Sequence, residues 1–323
     1  MSCHEYPLCV YLSTCLTIEI GKYGFHHWFG VVQVKFRFAR LCGNAYSMLE
    51  LPENCSLRLR QQDCSAAGCR VAIILPRRAV VFAFREIGDD NSALAYSPMV
   101  RGHEKTFAWI SEHGGIPLTP SKAFKRVFVH WAAAEFDWPG YTESDLYVVN
   151  KVLNEHDFPP LMLLHDLMIA MKLGRHYKGQ FRLTKAGQAL ADRPGQIFAT
   201  VVPFYLFRVD HARFSRFDDE SILGNWDIFL NVLNVETEDG ATGAELRRIL
   251  YGELDQQTLP HYDDVMGRLY LQVLRPLCWA GLLHQQRSED QFRTEDVVFM
   301  KTPLWKAALQ LETDEMVVGA PRH

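Results

Sequence analysis

No apolar run in this sequence is long enough to cross a membrane. The longest early stretch, Tyr6 to Ile18, is broken by Ser13, Thr14 and Thr17 and closed by Glu19, whereas a spanning helix takes ~20 apolar residues. A basic start is missing too: Glu5 comes before the first lysine, Lys22, so the opening segment does not read as an export leader. Cysteine is scarce after residue 70. Cys3, Cys9, Cys15, Cys42, Cys55, Cys64 and Cys69 all precede it, and only Cys278 follows. No two stand at the C-x-x-C spacing of a zinc knuckle or redox pair. Clustered cysteines without a leader imply a reduced, cytoplasmic chain rather than a disulfide-stapled secreted one. Basic excess is absent as well, with 34 Lys and Arg against 38 Asp and Glu and a net charge of −4, which excludes a generally basic nucleic-acid binder. There is no H-E-x-x-H, no phosphate-binding or dinucleotide glycine loop and no G-x-S-x-G elbow. No cofactor is implied, and an enzyme is not the first reading.

What is present supports a folded core: 48% of residues are hydrophobic, among them 20 Phe, 12 Tyr and 7 Trp. The character of the chain changes near residue 98. Residues 1–98 carry a net +2 and no sustained helical period, while residues 99–323 carry a net −6. The early part has one alternating run, Val32 to Phe38, and two apolar runs, Val71 to Leu75 and Val80 to Phe84, that flank Pro76-Arg77-Arg78 as a hairpin would. Two expectations stand side by side. Residues 1–98 are a small β-rich domain, or the cellular protein begins at Met99 and the Cys-rich segment is poorly ordered or translated upstream sequence.

Capped helices then follow one another. Thr119-Pro120 predicts a helix opening through Phe124, Phe128, Trp131 and Phe136. Thr142 with Asp145 predicts a capping box for a helix through Leu146, Val149 and Leu153. Pro159-Pro160 opens a third helix, Leu161 to Lys172, for which Gly174 is placed as a left-handed cap. Next come two short strands around Lys178-Gly179, and Thr184 caps a closing helix. The order repeats: Thr242 and Glu245 cap a helix, a longer one from Tyr262 to about Ala280 bends at Pro276, a hairpin follows, and Thr302-Pro303 enters the last helix. The expected fold is mainly α. Two winged-helix-like units, 99–194 and 241–312, are joined by a helical connector, 195–240, with a tail at 313–323.

Gly115-Ile116-Pro117-Leu118-Thr119, Asn150-Lys151, Asp157-Phe158-Pro159-Pro160 and the run Lys178 to Gly187 carry a resemblance. The stretch resembles the tail of bacterial proteins related to a plasmid open-reading-frame family of unknown function. The resemblance implies a bacterial winged-helix-like region and brings no catalytic residue with it. The N-terminal domain usual in that family has no counterpart here.

Two clusters suit nucleic acid. Lys172, Arg175, Lys178, Arg182 and Lys185 make the first hairpin basic, fit to neutralise phosphates. In the second unit Arg268, Gln272, Arg275 and Trp279 share one helical arc, and Arg and Gln suit base edges. The second hairpin carries Glu289, Asp290, Glu295 and Asp296, which repel phosphate. The expected role is a non-enzymatic DNA-binding or protein-interaction module. Its partner is DNA or another protein, with no membrane association. The alternative is enzymatic. His165-Asp166 resembles the His-Asp step of HD-type metal phosphohydrolases, and the resemblance implies that His130 and Asp210 complete a divalent-ion site. Leu167-Met168 departs from the small residues usual after that step. The structural alternative is a helix pair with His165 hydrogen-bonded at a packing edge.

Overall fold

The computed structural model describes residues 16–19, 58–59, 70–74, 82–214, 226–252, 264–287 and 293–319. The chain divides into two compact units, Met1–Val80 and Val81–His323. In the first, β1 (Leu16–Glu19), β2 (Arg58–Leu59) and β3 (Arg70–Ile74) form an antiparallel sheet with β3 central. The alternating run at 32–38 lies outside the described residues. Among the described residues of the hairpin expected between Val71–Leu75 and Val80–Phe84, the two runs do not pair with each other. The first run pairs with β1 and β2, and the second supplies β4 (Ala83–Phe84), which pairs with β11 (Leu309–Gln310).

The second unit is mainly helical, as expected. It begins before the boundary expected at residue 98, which falls inside it. Helix α1 (Pro98–His113) opens where Ser97 Oγ accepts the Val100 N–H at 3.2 Å, and it ends at left-handed Gly114. Its buried Met99, Val100, His103, Phe107 and Ile110 recur at helical spacing. After β5 (Ile116–Pro117) the helix expected from Thr119 is delayed. Thr119 instead exchanges bonds with Ala123 through its N–H and its hydroxyl, closing a turn with Lys122 left-handed at φ 68°. Helix α2 therefore runs Arg126–Phe136. The Thr142–Asp145 box caps α3 (Glu143–Val149), which stops short of Leu153. Helix α4 (Pro159–Ala170) opens at the Pro pair.

The left-handed residue that ends α4 is Lys172, at φ 58°, not Gly174. Gly174 starts β6 (Gly174–Tyr177), where it lies under the Phe181 ring and a Cβ would come within 2.0 Å of Phe181 Cζ. β6 pairs with β7 (Gln180–Leu183), which pairs with β5. Helices α5 (Lys185–Leu190) and α6 (Pro194–Arg208) complete this half.

The later half repeats the order. After α7 (Trp226–Glu236) come β8 (Ala241–Thr242), α8 (Gly243–Tyr251) with its Thr242–Glu245 box, α9 (Asp264–Leu269) and α10 (Arg275–Ala280). Then β9 (Leu283–Gln286), β10 (Val298–Lys301) and α11 (Pro303–Ala308) follow, with sheet order β8-β10-β9 matching β5-β7-β6. Both hairpins close by the same device. Thr184 N–H donates to Leu173 O and its hydroxyl to Lys172 O, as Thr302 donates to Leu282 O and Gly281 O. The bend expected at Pro276 is a π turn over Tyr270–Leu274, which accommodates the missing proline donor by widening the helix just before it. The chain ends its described part with α12 (Asp314–Gly319). Trp138 meets Trp279 edge-on at 5.6 Å, joining the halves through one aromatic core. No helix among the described residues is long and apolar enough to cross a membrane.

Two histidines lie inside this core. His103 Nδ1 bonds Met99 O at 2.7 Å and His211 Nε2 bonds Tyr205 O at 3.0 Å, while the other nitrogen of each is buried without a partner among the described residues. Burial pushes both imidazoles down to about 4, and Arg275 adds to the effect on His211. The unfolded chain takes up these protons near pH 6.5 and the folded chain only near 4, so stability is full above 6.5 and falls as the pH drops between them. Each histidine should remove about 2 kcal/mol between pH 7.5 and 5. Urea melts across that range check this, and His103→Gln should flatten the pH slope; an unchanged slope would show that His103 is not its source.

Candidate nucleic-acid interface

Period-two alternation sorts the β6–β7 hairpin into two faces. Gly174, Phe181 and Leu183 are buried and His176 is half-buried, while Arg175, Tyr177 and Arg182 are exposed. The turn places Lys178 at φ 47° and Gly179 at φ 75°, both left-handed as a two-residue hairpin loop requires. Arg175 stands directly opposite Arg182. On this outer face Arg175, Lys178 and Arg182 lie 5.4, 5.3 and 5.5 Å from the centre of the Tyr177 ring. Cation–π attraction offsets part of the repulsion among them, and Arg182 also donates twice to Gln180 Oε1. Like charges directly opposed in a sheet are destabilising. Among the described residues no carboxylate lies within 4.0 Å of any of the three. Lys172 and Lys185 are exposed at the base of the hairpin, either side of the Thr184 closure.

Beneath the hairpin runs a chain of polar contacts. Glu155 is only 5% exposed. Its Oε2 accepts the Phe124 N–H at 2.7 Å and its Oε1 the His165 Nδ1 proton at 2.6 Å. The His165 ring stacks on Phe124 at 4.0 Å, and its Nε2 meets His176 Nε2 at 2.9 Å. One proton bridges the two Nε2 atoms of His165 and His176. Burial, with His165 and Lys122 adding, holds His176 below the usual imidazole range, against the opposing pull of Glu155. This chain pins β6 to α4 and to the 119–125 turn.

The other expected clusters do not assemble. His130 bonds the Tyr147 hydroxyl, Asp166 accepts from Arg213 at 3.2 Å, and Asp210 accepts the Ala212 N–H at 3.1 Å. Each of the proposed metal ligands His130, His165, Asp166 and Asp210 thus has its own partner. Among the described residues no group of three or more His, Cys, Asp or Glu side chains is placed to hold a metal ion. The arc of Arg268, Gln272, Arg275 and Trp279 is corrected too. Gln272 is 2% and Trp279 7% exposed, and Arg275 is half-buried, its guanidinium 4.9 Å from Trp279 and 5.8 Å from Phe214. The π turn breaks the 100° period on which the arc was built, and Arg275 and Trp279 turn toward aromatic neighbours.

Glu155 and Tyr177 were the residues that sequence reasoning missed. Glu155 sits in a polar run, Asn154-Glu155-His156-Asp157, that reads as surface. Tyr177 had a usable signal in the Arg-x-Tyr alternation before the Lys-Gly turn.

Residues 95–196 match the model of the Y4jL N-terminal domain and residues 215–303 that of the y4jL C-terminal domain. Over 173 residues the chain is 39% identical to "Uncharacterized protein y4jL" of Sinorhizobium fredii (strain NBRC 101917 / NGR234), which covers 54% of this chain and 78% of that protein. The chain belongs to the y4jL family. No solved structure matches it.

Proposed function

We propose that the first half of the Val81–His323 unit is a winged-helix-type module that binds duplex DNA through its phosphates, with the β6–β7 hairpin as the wing. The supporting order is helix, short strand, helices, hairpin, with β5 pairing the second hairpin strand. One observation carries the reading: Arg175 and Arg182 face each other, with Lys178, around an exposed Tyr177 and, among the described residues, without a countering carboxylate within 4.0 Å. A polyanion relieves that repulsion. The helix before the wing presents Asp166 and Ile169 to solvent rather than basic donors, so the binding is phosphate-led and weak in base preference. The later half supports the first rather than adding a reader, since Gln272 and Trp279 are buried. A second reading, docking of another protein, rests on the exposed Tyr147, Val148, Val149 and Val152, of which Val148 is 84% exposed.

The test is fluorescence anisotropy of the full chain with a labelled mixed-sequence DNA duplex across a salt series. Affinity should fall linearly with salt on logarithmic axes. Arg175→Ala with Arg182→Ala should weaken binding roughly 10- to 100-fold at low salt and lower the slope by about two. Absence of binding at low salt, or a double variant that binds like the wild type, refutes the reading.

A further inference from the structure

Five non-glycine residues among those described adopt a left-handed backbone: Lys122, Asp137, Lys172, Lys178 and Asp192. An L side chain there is strained in a way that glycine is not. Three of the five are lysines, and all three border the same hairpin. Lys178 is in its turn and Lys172 at its base. Lys122 lies in the turn that leads off β5. Leu118, just before that turn, donates its N–H to Gly179 O at 2.9 Å. Lys122 is near enough to His176 of β6 to disfavour its protonation.

The residues on either side of Lys122, together with Lys125, Arg126, Asn154, Glu155 and His156, line a cleft of ≈ 690 Å³, and Lys122 itself stands at its edge rather than in its lining. Lys122, Lys125 and Arg126 are exposed. Among the described residues none of the three has a carboxylate within 4.0 Å. The nearby carboxylates are already engaged, although Arg126 also attracts Asp157 from beyond ion-pair distance. Glu155 is held by the Phe124 N–H and His165, and Asp157 by the Asn154 N–H and side-chain amide and by His156. Arg126 Nε donates to Asn154 Oδ1 at 3.0 Å, which fixes the guanidinium and leaves its terminal nitrogens without a partner among the described residues.

We infer that the Thr119–Arg126 turn and its cleft are a second phosphate-binding site, continuous with the wing, at which Lys122, Lys125 and Arg126 take backbone phosphates of the same DNA duplex. The inference rests on the DNA-binding reading above and extends it to residues that read, in sequence, as the start of a helix. It also explains why a strained lysine occupies position 122, where glycine would fit without strain: the charge, not the turn, is what that position supplies.

Lys122→Gly makes the test sharp, because it relieves backbone strain while removing charge. In the full chain, Lys122→Gly with Lys125→Gln should melt no lower than the wild type. It should bind the labelled duplex roughly three- to tenfold more weakly at low salt and lower the salt slope by about one to two. Wild-type affinity and slope in this variant, together with loss of binding in Arg175→Ala/Arg182→Ala, overturn the inference and leave the wing reading standing. If the wild-type chain itself does not bind the duplex at low salt, the wing reading falls and this site with it.

Discussion

A chain that begins at Met99 should not fold cooperatively, whereas one that begins at residue 81 should melt like the full protein. The residues between them are built into the second unit. β4 pairs with β11, and Arg85 N–H donates to Ala308 O at 2.7 Å. Phe82 lies 5.3 Å from Phe207, and Phe84 packs on both Phe198 and Phe207. Ile87 and Leu94 are each 5% exposed, and each buried aliphatic side chain contributes ~1.5–3 kcal/mol. Two helices lose their caps. Asp89 Oδ1 accepts the Gly195 N–H at 2.9 Å at the start of α6, whose own cap residue makes no side-chain bond, and Ser97 caps α1. Each such cap is worth ~1 kcal/mol. Met99 is fully buried, so the truncation also sets a charged amino terminus inside the core, at the positive end of a helix dipole. The sum is roughly 5–8 kcal/mol, comparable to the whole stability of a domain. Urea melts of the two truncations decide the matter, and equal midpoints would sink the claim that residues 82–98 are structural.

Gly281→Ala should destabilise the protein by about 3–5 kcal/mol, whereas Gly114→Ala should cost about 1–2 kcal/mol. Both glycines are left-handed, at φ 83° and 74°. They differ in what an added Cβ would meet. At Gly114 nothing lies within 4 Å, so only the backbone preference is lost. At Gly281 the Cβ would come within 2.4 Å of Ser97 Cα, 2.5 Å of Tyr96 O and 2.7 Å of Ser97 N. These are backbone atoms and cannot swing aside. They belong to the segment that caps α1, while Gly281 O accepts the Thr302 hydroxyl at 2.6 Å. The substitution therefore pushes apart the α1 cap and the closure of the second hairpin together. Thermal and urea denaturation of both variants should show the difference; similar losses would mean that the contact at Gly281 yields easily.

The local punctuation was legible in the chain. Thr142 with Asp145, Thr242 with Glu245, Pro159-Pro160 and the Lys178-Gly179 turn each lie where their residue types place them, because a cap or tight turn is decided by side chains within four positions. The failures were of the same local kind but had a competitor. Thr119 had an N-cap signal, yet its hydroxyl found Ala123 in a closed turn. Gly174 had a C-cap signal, yet the space under Phe181 needed a residue without a side chain.

The sequence by itself determined the mainly helical character, the basic hairpin and the charges it carries, because period, capping and turn chemistry act between near neighbours. Only the tertiary structure decided what those charges face. It buried the Gln272 and Trp279 arc in an aromatic core, gave each of His130, Asp166 and Asp210 a separate partner, and drew Glu155 in to hold His165. It also set Lys122 beside the β6–β7 hairpin. Such pairings join residues far apart in the chain, and which carboxylate is buried or which arginine is left without one follows from packing that no local pattern records.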